Sequence, residues 1–161
     1  MNRELTTTDK HYLALCIDLA EEALNAGDKP FGSILIDNDG KILAQARNKV
    51  NTLHALSHPE YELTAWALKH LTKEERQTST MYTSGEHCPM CAGAHGMAEI
   101  GTVVYAASGR QYTEWLKEFN IKIPLINLLP IEKVIKVITV RGPAKGELLE
   151  RIKELHKKSH S

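Results

Sequence analysis

"MYTSGEHCPMCAGAHGMAEIGTVVYAAS", residues 81–108, decides the architecture. Its two ends are short runs rich in β-branched and aromatic residues. Its centre carries alanine, glycine and methionine behind Pro89. The pattern predicts a strand over 78–84, a helix over 88–100 with the proline near its start, and a strand over 101–108. A strand, a helix and a second strand in that order form a crossover between parallel neighbours. The chain is therefore built around a sheet with helices packed against it.

Working upstream, "HPEYELTAWALKHLT" (58–72) reads as a helix with Leu63, Trp66, Ala67 and Leu71 on its buried stripe and Pro59 at its first position. "FGSILIDNDGKILAQARNKV" (31–50) reads as a hairpin, two apolar runs joined through Asn38-Asp39-Gly40. Residues 6–28 read as a helix with Leu13, Cys16, Ile17, Ala20 and Leu24 on one face, a threonine cap and Gly27 past the end. Cys16 is most simply a core residue. Downstream, 110–119 reads as a helix, 133–140 as a strand and 145–158 as a closing amphipathic helix. The segment 120–130 reads as a loop with one irregular strand. This alternation implies an α/β layered fold with helices on both faces of a mixed sheet.

The bulk numbers narrow the function. At 161 residues, residues 1–161 fit one domain. The hydrophobic fraction is 42% and the charged fraction 25%, as in a globular chain. Twenty basic residues balance twenty acidic ones, so there is no broad attraction for nucleic acid or an anionic membrane. The N-terminal stretch lacks the apolar core of a signal peptide, and no apolar run is long enough to span a bilayer. Three cysteines do not make a disulfide scaffold, and the expected address is a reducing cytoplasm.

Cys88 and Cys91 are the chemical feature of the opening stretch. A CxxC after a strand suits a thioredoxin-like redox pair. A structural zinc site needs four closed ligands, and the chain has no second CxxC. A catalytic zinc site needs three ligands and an open position, and "HPE" at 58–60 offers His58. Two cysteines three apart at a helix start share a face, and the positive end of the helix favours the thiolates that bind metal. If the two helix starts converge beyond the strand ends, Cys88, Cys91 and His58 give a ligand set suited to Zn²⁺ with a position left for water. Glu60, two residues from His58, can then accept the water's proton and return it to a leaving amine.

"HPE" followed by "CPMC" resembles the zinc nucleobase and nucleoside deaminases, whose signature is H-x-E…P-C-x-x-C. The resemblance extends over roughly residues 10–108, with the hairpin at 29–50 and the stretch at 81–108 similar to the corresponding family segments, and it is to guanine deaminases and tRNA adenosine deaminases in particular. It implies a cytidine deaminase-like α/β/α sandwich with a mixed five-stranded sheet, hydrolytic deamination and a homodimer. Two departures stand out: Pro59 where the family commonly has alanine, and His87 where it has proline. His87 either reaches the pocket or replaces a rigid turn. A second register is open, with Glu60 as metal ligand and Glu62 as base; the His58–Glu60 register keeps the His-Cys-Cys set and puts Pro59 where a helix begins.

The resemblance also implies substrate contact at Asn48 and at the Ser84 carbonyl; a plain turn residue is the other reading of Asn48. Phe31 either stacks on a base or belongs to the core, and the backbone near Gly32 and Ser33 is a further polar contact. Trp115 and Tyr112 lie where relatives carry substrate-closing residues, with helix packing the plainer reading of each, and His54, His70, His95 and His156 read as surface or supporting groups. The expected activity is zinc-dependent deamination of an aminated heterocycle, a guanine-type purine by preference because the chain has no basic footprint. The alternatives are tRNA adenosine deamination and a catalytically inactive zinc-containing binding module.

Overall fold

The computed structural model describes residues 4–161. The first three residues of the N-terminal stretch read above lie outside the described residues. Five strands form one mixed sheet in the order β2-β1-β3-β4-β5: β1 Gly32–Ile36, β2 Ile42–Arg47, β3 Thr80–Gly85, β4 Thr102–Ala107 and β5 Thr139–Arg141. The hairpin pairs β1 with β2 antiparallel, and β1 also pairs antiparallel with β3. The pairs β3–β4 and β4–β5 are parallel.

Alternation along the central strands sends side chains to opposite faces, and both faces are covered. Ile34, Ile36, Tyr82 and Val104 point to one side, where α1 (Thr7–Asn25), α5 (Gly109–Glu118) and α7 (Glu147–Ser159) supply Leu13, Ile17, Trp115 and Ile152. Leu35 and Met81 point to the other side, against Leu63 and Ala67 of α2 (Pro59–His70). Val103, Tyr105 and Val140 continue that face under Ala92 of α4 (Pro89–Met97) and Ile131 of α6 (Ile131–Val134). The three-layer α/β/α arrangement expected from the element order is the one observed. Gly32 is where α1 crosses β1: a Cβ there would overlap the Cys16 carbonyl oxygen and the Leu19 side chain.

The C-terminal third differs from the sequence reading. Residues 133–140 are not one strand: Ile131–Val134 form a helical turn, and only Thr139–Arg141 join the sheet. Ile131, Val134 and Ile135 lie at helical spacing and pack on the sheet from that turn. A short apolar run satisfies either period, and here Pro130 ends the loop and starts the turn. A further short helix, α3 (Lys73–Gln77), follows α2. Its signal was a capping box, with Thr72 Oγ1 accepting from Glu75 N at 3.2 Å and Glu75 Oε2 accepting from Thr72 N at 2.7 Å.

Candidate active site

Two helix starts meet at the carboxyl end of β3. Pro59 opens α2 and Pro89 opens α4, so His58 and Cys88 are the cap residues in extended conformation. Cys91 lies one turn into α4. His58 Nδ1 lies 3.6 Å from Cys88 Sγ and 3.4 Å from Cys91 Sγ, and the three donor atoms all lie within 4.8 Å of one another. The donor set fits zinc: tetrahedral bonds of about 2.3 Å to sulfur and about 2.0 Å to nitrogen put ligand N and S about 3.5 Å apart. Metal-free, the cluster behaves as a coupled acid. The Cys91 thiol and then the His58 imidazole hydrogen-bond the Cys88 sulfur and push it down to about 4, against burial; Cys88 in turn raises His58. All three cysteines of the chain are free thiols.

Glu60, on the first turn of α2, is buried and lines the same cavity as His58 and Cys88. Burial raises its carboxyl above the usual range, opposed by the His58 charge and the Thr83 hydroxyl. Thr83 Oγ1 is 3.0 Å from Glu60 Oε1 and also 3.0 Å from the Gly85 carbonyl oxygen. Ser33 Oγ lies 2.9 Å from Thr83 Oγ1 and 3.3 Å from Glu60 Oε1. Glu62, the alternative acid, faces solvent and pairs with Lys49 Nζ at 3.5 Å.

The cavity is about 370 Å³, at the small-molecule end of ligand pockets. Asn48 and Phe31 are on its wall. Asn48 Oδ1 accepts from Val50 N at 2.9 Å, which leaves the Nδ2 group as the donor. Phe31 packs edge-on against Tyr112, with ring centroids 5.7 Å apart. Gly32 N donates to Ser84 Oγ at 3.1 Å and the glycine's bare Cα admits α1; neither residue is among those lining the cavity.

The loop between β2 and α2 holds Asn48 and delivers His58, and Asp28 pins it. One carboxylate oxygen of Asp28 accepts the Asn51 and Thr52 amides, both at 2.9 Å. The other takes the Thr52 hydroxyl at 2.8 Å and Arg47 Nη1 at 3.1 Å. Burial acts to raise the Asp28 carboxyl, but these hydrogen bonds hold it below the usual range. Glu86 has the same kind of role on the opposite side, accepting from Gly109 N and Ile131 N, each at 2.8 Å, so that it anchors the starts of α5 and α6.

His87 reaches the cavity wall. His95 Nε2 donates to the Ile100 carbonyl oxygen at 3.1 Å, so His95 Nδ1 must accept, and His87 Nε2 donates to it at 3.0 Å. Burial keeps both imidazoles neutral, pushing His95 down to about 4 and His87 well below its ordinary value. His87 thus locks the turn before Cys88 through a neighbour on α4. Tyr112, read from the sequence as helix packing or a substrate-closing position, and His156, read as a surface or supporting group, both line the cavity, and His156 is buried. A signal for His156 was present: it interrupts the apolar stripe of α7 one turn after Ile152. Thr83 and Ser33 were legible only as strand residues. His54 and His70 are exposed.

The structure thus joins a mixed five-stranded sheet between helical layers to a His-Cys-Cys cluster at two converging helix starts. The chain belongs to the MafB19-like deaminase family, whose model matches residues 7–140. It is 38% identical over 98 residues to the guanine deaminase of Bacillus subtilis, covering 60% of this chain and 62% of that protein. It is 34% identical over 102 residues to the tRNA-specific adenosine deaminase of the same organism, covering 63% of each. The aligned part is thus under two thirds of the length of these curated relatives. The solved guanine deaminase of Nitrosomonas europaea shares the fold, with a TM-score of 0.68 at 16% identity over 99% of this chain and 96% of that one.

Proposed function

We propose that this protein is a zinc-dependent hydrolytic deaminase of an aminated nucleobase or related heterocycle, with a guanine-type purine as the preferred substrate. The observation that carries this reading is the convergence of a three-donor cluster and one buried carboxylate on the wall of a cavity of small-molecule size. His58, Cys88 and Cys91 would hold the zinc, which lowers the pKa of a water bound to it towards neutrality.

Glu60 is the proton carrier. It accepts a proton from water as the C–O bond forms at the ring carbon bearing the amine. It then gives that proton to the amine nitrogen as the C–N bond breaks and ammonia leaves; the remaining hydroxyl proton moves to the ring nitrogen, giving the ring carbonyl. The Thr83 hydroxyl suits both halves of this exchange. Its single proton goes to Glu60 Oε1 while the carboxylate is charged, and to the Gly85 carbonyl when Glu60 is protonated and itself donates to Thr83. Asn48 Nδ2 donates to an acceptor on the heterocycle, and the rings of Phe31 and Tyr112 receive its faces.

Two features favour a free base over adenosine in tRNA. Pro124, Ile126 and Leu128 line the cavity from the loop after α5, an apolar cover rather than a groove for a phosphate backbone. The chain's twenty basic residues are balanced by twenty acidic ones. Ammonia release from guanine, adenine, cytosine and a tRNA anticodon stem-loop, each at low and high salt, tests the reading. Guanine turnover that is insensitive to salt supports it; turnover of the stem-loop alone, falling steeply with salt, replaces it with the tRNA activity. The same proposal includes a homodimer in a reducing cytoplasm, checked by the sedimentation mass of the zinc-loaded protein. No helix among the described residues is long and apolar enough to cross a membrane.

A further inference from the structure

His156 belongs to α7, far in sequence from the metal cluster, yet its side chain is on the wall of the same cavity. It continues the apolar stripe formed by Leu148, Leu149, Ile152 and Leu155, all of which pack into the core under α7. A leucine would complete that stripe. An imidazole placed there loses its hydration, and the residue is 2% exposed. Among the described residues no hydrogen bond satisfies its ring nitrogens, and they are not sealed away from the cavity as His87 Nδ1 is. Three aromatic rings surround it: Tyr112 at 4.9 Å, Phe31 at 5.0 Å and Trp115 at 6.0 Å between ring centroids.

We infer that His156 is a substrate-binding residue that selects among heterocycles, presenting a ring nitrogen from within the aromatic box to the polar edge of the bound base. The inference rests on the deaminase reading for its ligand class and adds the residue that discriminates within that class. Burial disfavours its imidazolium, and the charges of His160 and Lys29 act in the same direction. It therefore offers a neutral donor or acceptor, matched to an uncharged ring edge rather than to a phosphate. A buried polar group that the ligand must satisfy rejects analogues that leave it unpaired, which is how a small pocket gains selectivity. The C-terminal helix is in this way part of the recognition surface as well as of the core.

The test is calorimetric binding of guanine, adenine, cytosine and 2-amino-4-hydroxypteridine to the zinc-loaded wild type, His156→Phe and His156→Gln, with ammonia release measured in parallel. The expected result is that His156→Phe keeps the aromatic contacts and the zinc stoichiometry but weakens the best-bound base by about tenfold and levels the ranking of the four. His156→Gln, which restores an amide donor and acceptor, recovers part of the loss. Equal affinities and an unchanged ranking in both variants overturn the inference. Selective binding by the wild type without ammonia release defeats the reaction proposed above, while a ranking levelled in the phenylalanine variant still supports the role of His156. Failure of the wild type to bind any of the four overturns the role of His156 as well.

Discussion

The Thr83 hydroxyl sits 3.0 Å from Glu60 Oε1, and both residues are buried. Thr83 is fully buried on β3 and Glu60 is on the first turn of α2, so this contact joins the sheet to the helix that delivers the acid, beside the Ser33 contact from β1. Thr83→Val keeps the shape and removes the hydroxyl. Zinc content should be unchanged, while kcat should fall about tenfold to a hundredfold as the carboxylate loses its fixed orientation. Steady-state kinetics beside metal analysis checks this. An unchanged kcat would show that the hydroxyl does not position Glu60.

Glu60→Gln separates acid–base chemistry from metal binding. The variant should retain one zinc per chain and lose turnover by roughly a hundredfold to ten-thousandfold. Elemental analysis with an ammonia assay reads both. Loss of the metal would make Glu60 a ligand, and full activity would leave the cluster as a structural or binding feature.

Cys88→Ala and Cys91→Ala each remove a sulfur from a cluster whose donor atoms lie within 4.8 Å. Each should lose stoichiometric zinc and all turnover, and dialysis of the wild type against a chelator should do the same, reversed by adding zinc. Because metal bound only to the folded state adds RT ln(1 + [L]/Kd) to stability, the wild-type melting temperature should rise with free zinc and those of the cysteine variants should not.

Stability should fall in acid, and His156 supplies a countable share. Burial pushes its imidazole down to about 3, whereas an unfolded histidine titrates near 6.5. Between these values the unfolded chain holds a proton there that the folded chain does not, so stability rises with pH across the window and is lost as pH falls through it. His156→Phe should therefore reduce the proton uptake on unfolding at pH 5 by about one. Urea melts of both proteins from pH 7 to pH 4.5 measure the slopes; parallel slopes would mean that His156 is already charged in the fold.

Gly32→Ala tests the contact between α1 and the sheet. The added methyl meets α1 backbone at Cys16 and Ala20, which cannot move aside as a flexible side chain could. The cost should be about 1–3 kcal/mol, read as a lower denaturation midpoint. An unshifted midpoint would mean that α1 can lift off β1 without penalty.

The layered fold was legible because its elements carry strong local signals. The apolar run of β1 before the Asn38-Asp39-Gly40 turn, the apolar stripes of α1 and α2, and the prolines opening α2 and α4 each point to one local structure. The metal cluster was legible for a related reason: Cys88 and Cys91 are neighbours along the chain, and His58 and Glu60 share a helix start. The misread segment, 133–140, is a run of β-branched residues that fits a strand or a helical turn by period alone. What settled it was non-local: the Ile131 amide is held by Glu86 Oε2 at 2.8 Å, from a residue 45 positions away.

The sequence by itself determined the alternation of helices and strands, the His-Cys-Cys set and its neighbouring carboxylate, since each depends on spacings of a few residues. Only the tertiary structure decided that Glu60 rather than Glu62 enters the cavity, that Ser33 and Thr83 hydrogen-bond with it, and that Tyr112 and His156 line the same wall. Those outcomes depend on which faces of separate elements are pressed together, a matter of packing between residues as far apart in sequence as Phe31 and His156 that no local pattern records.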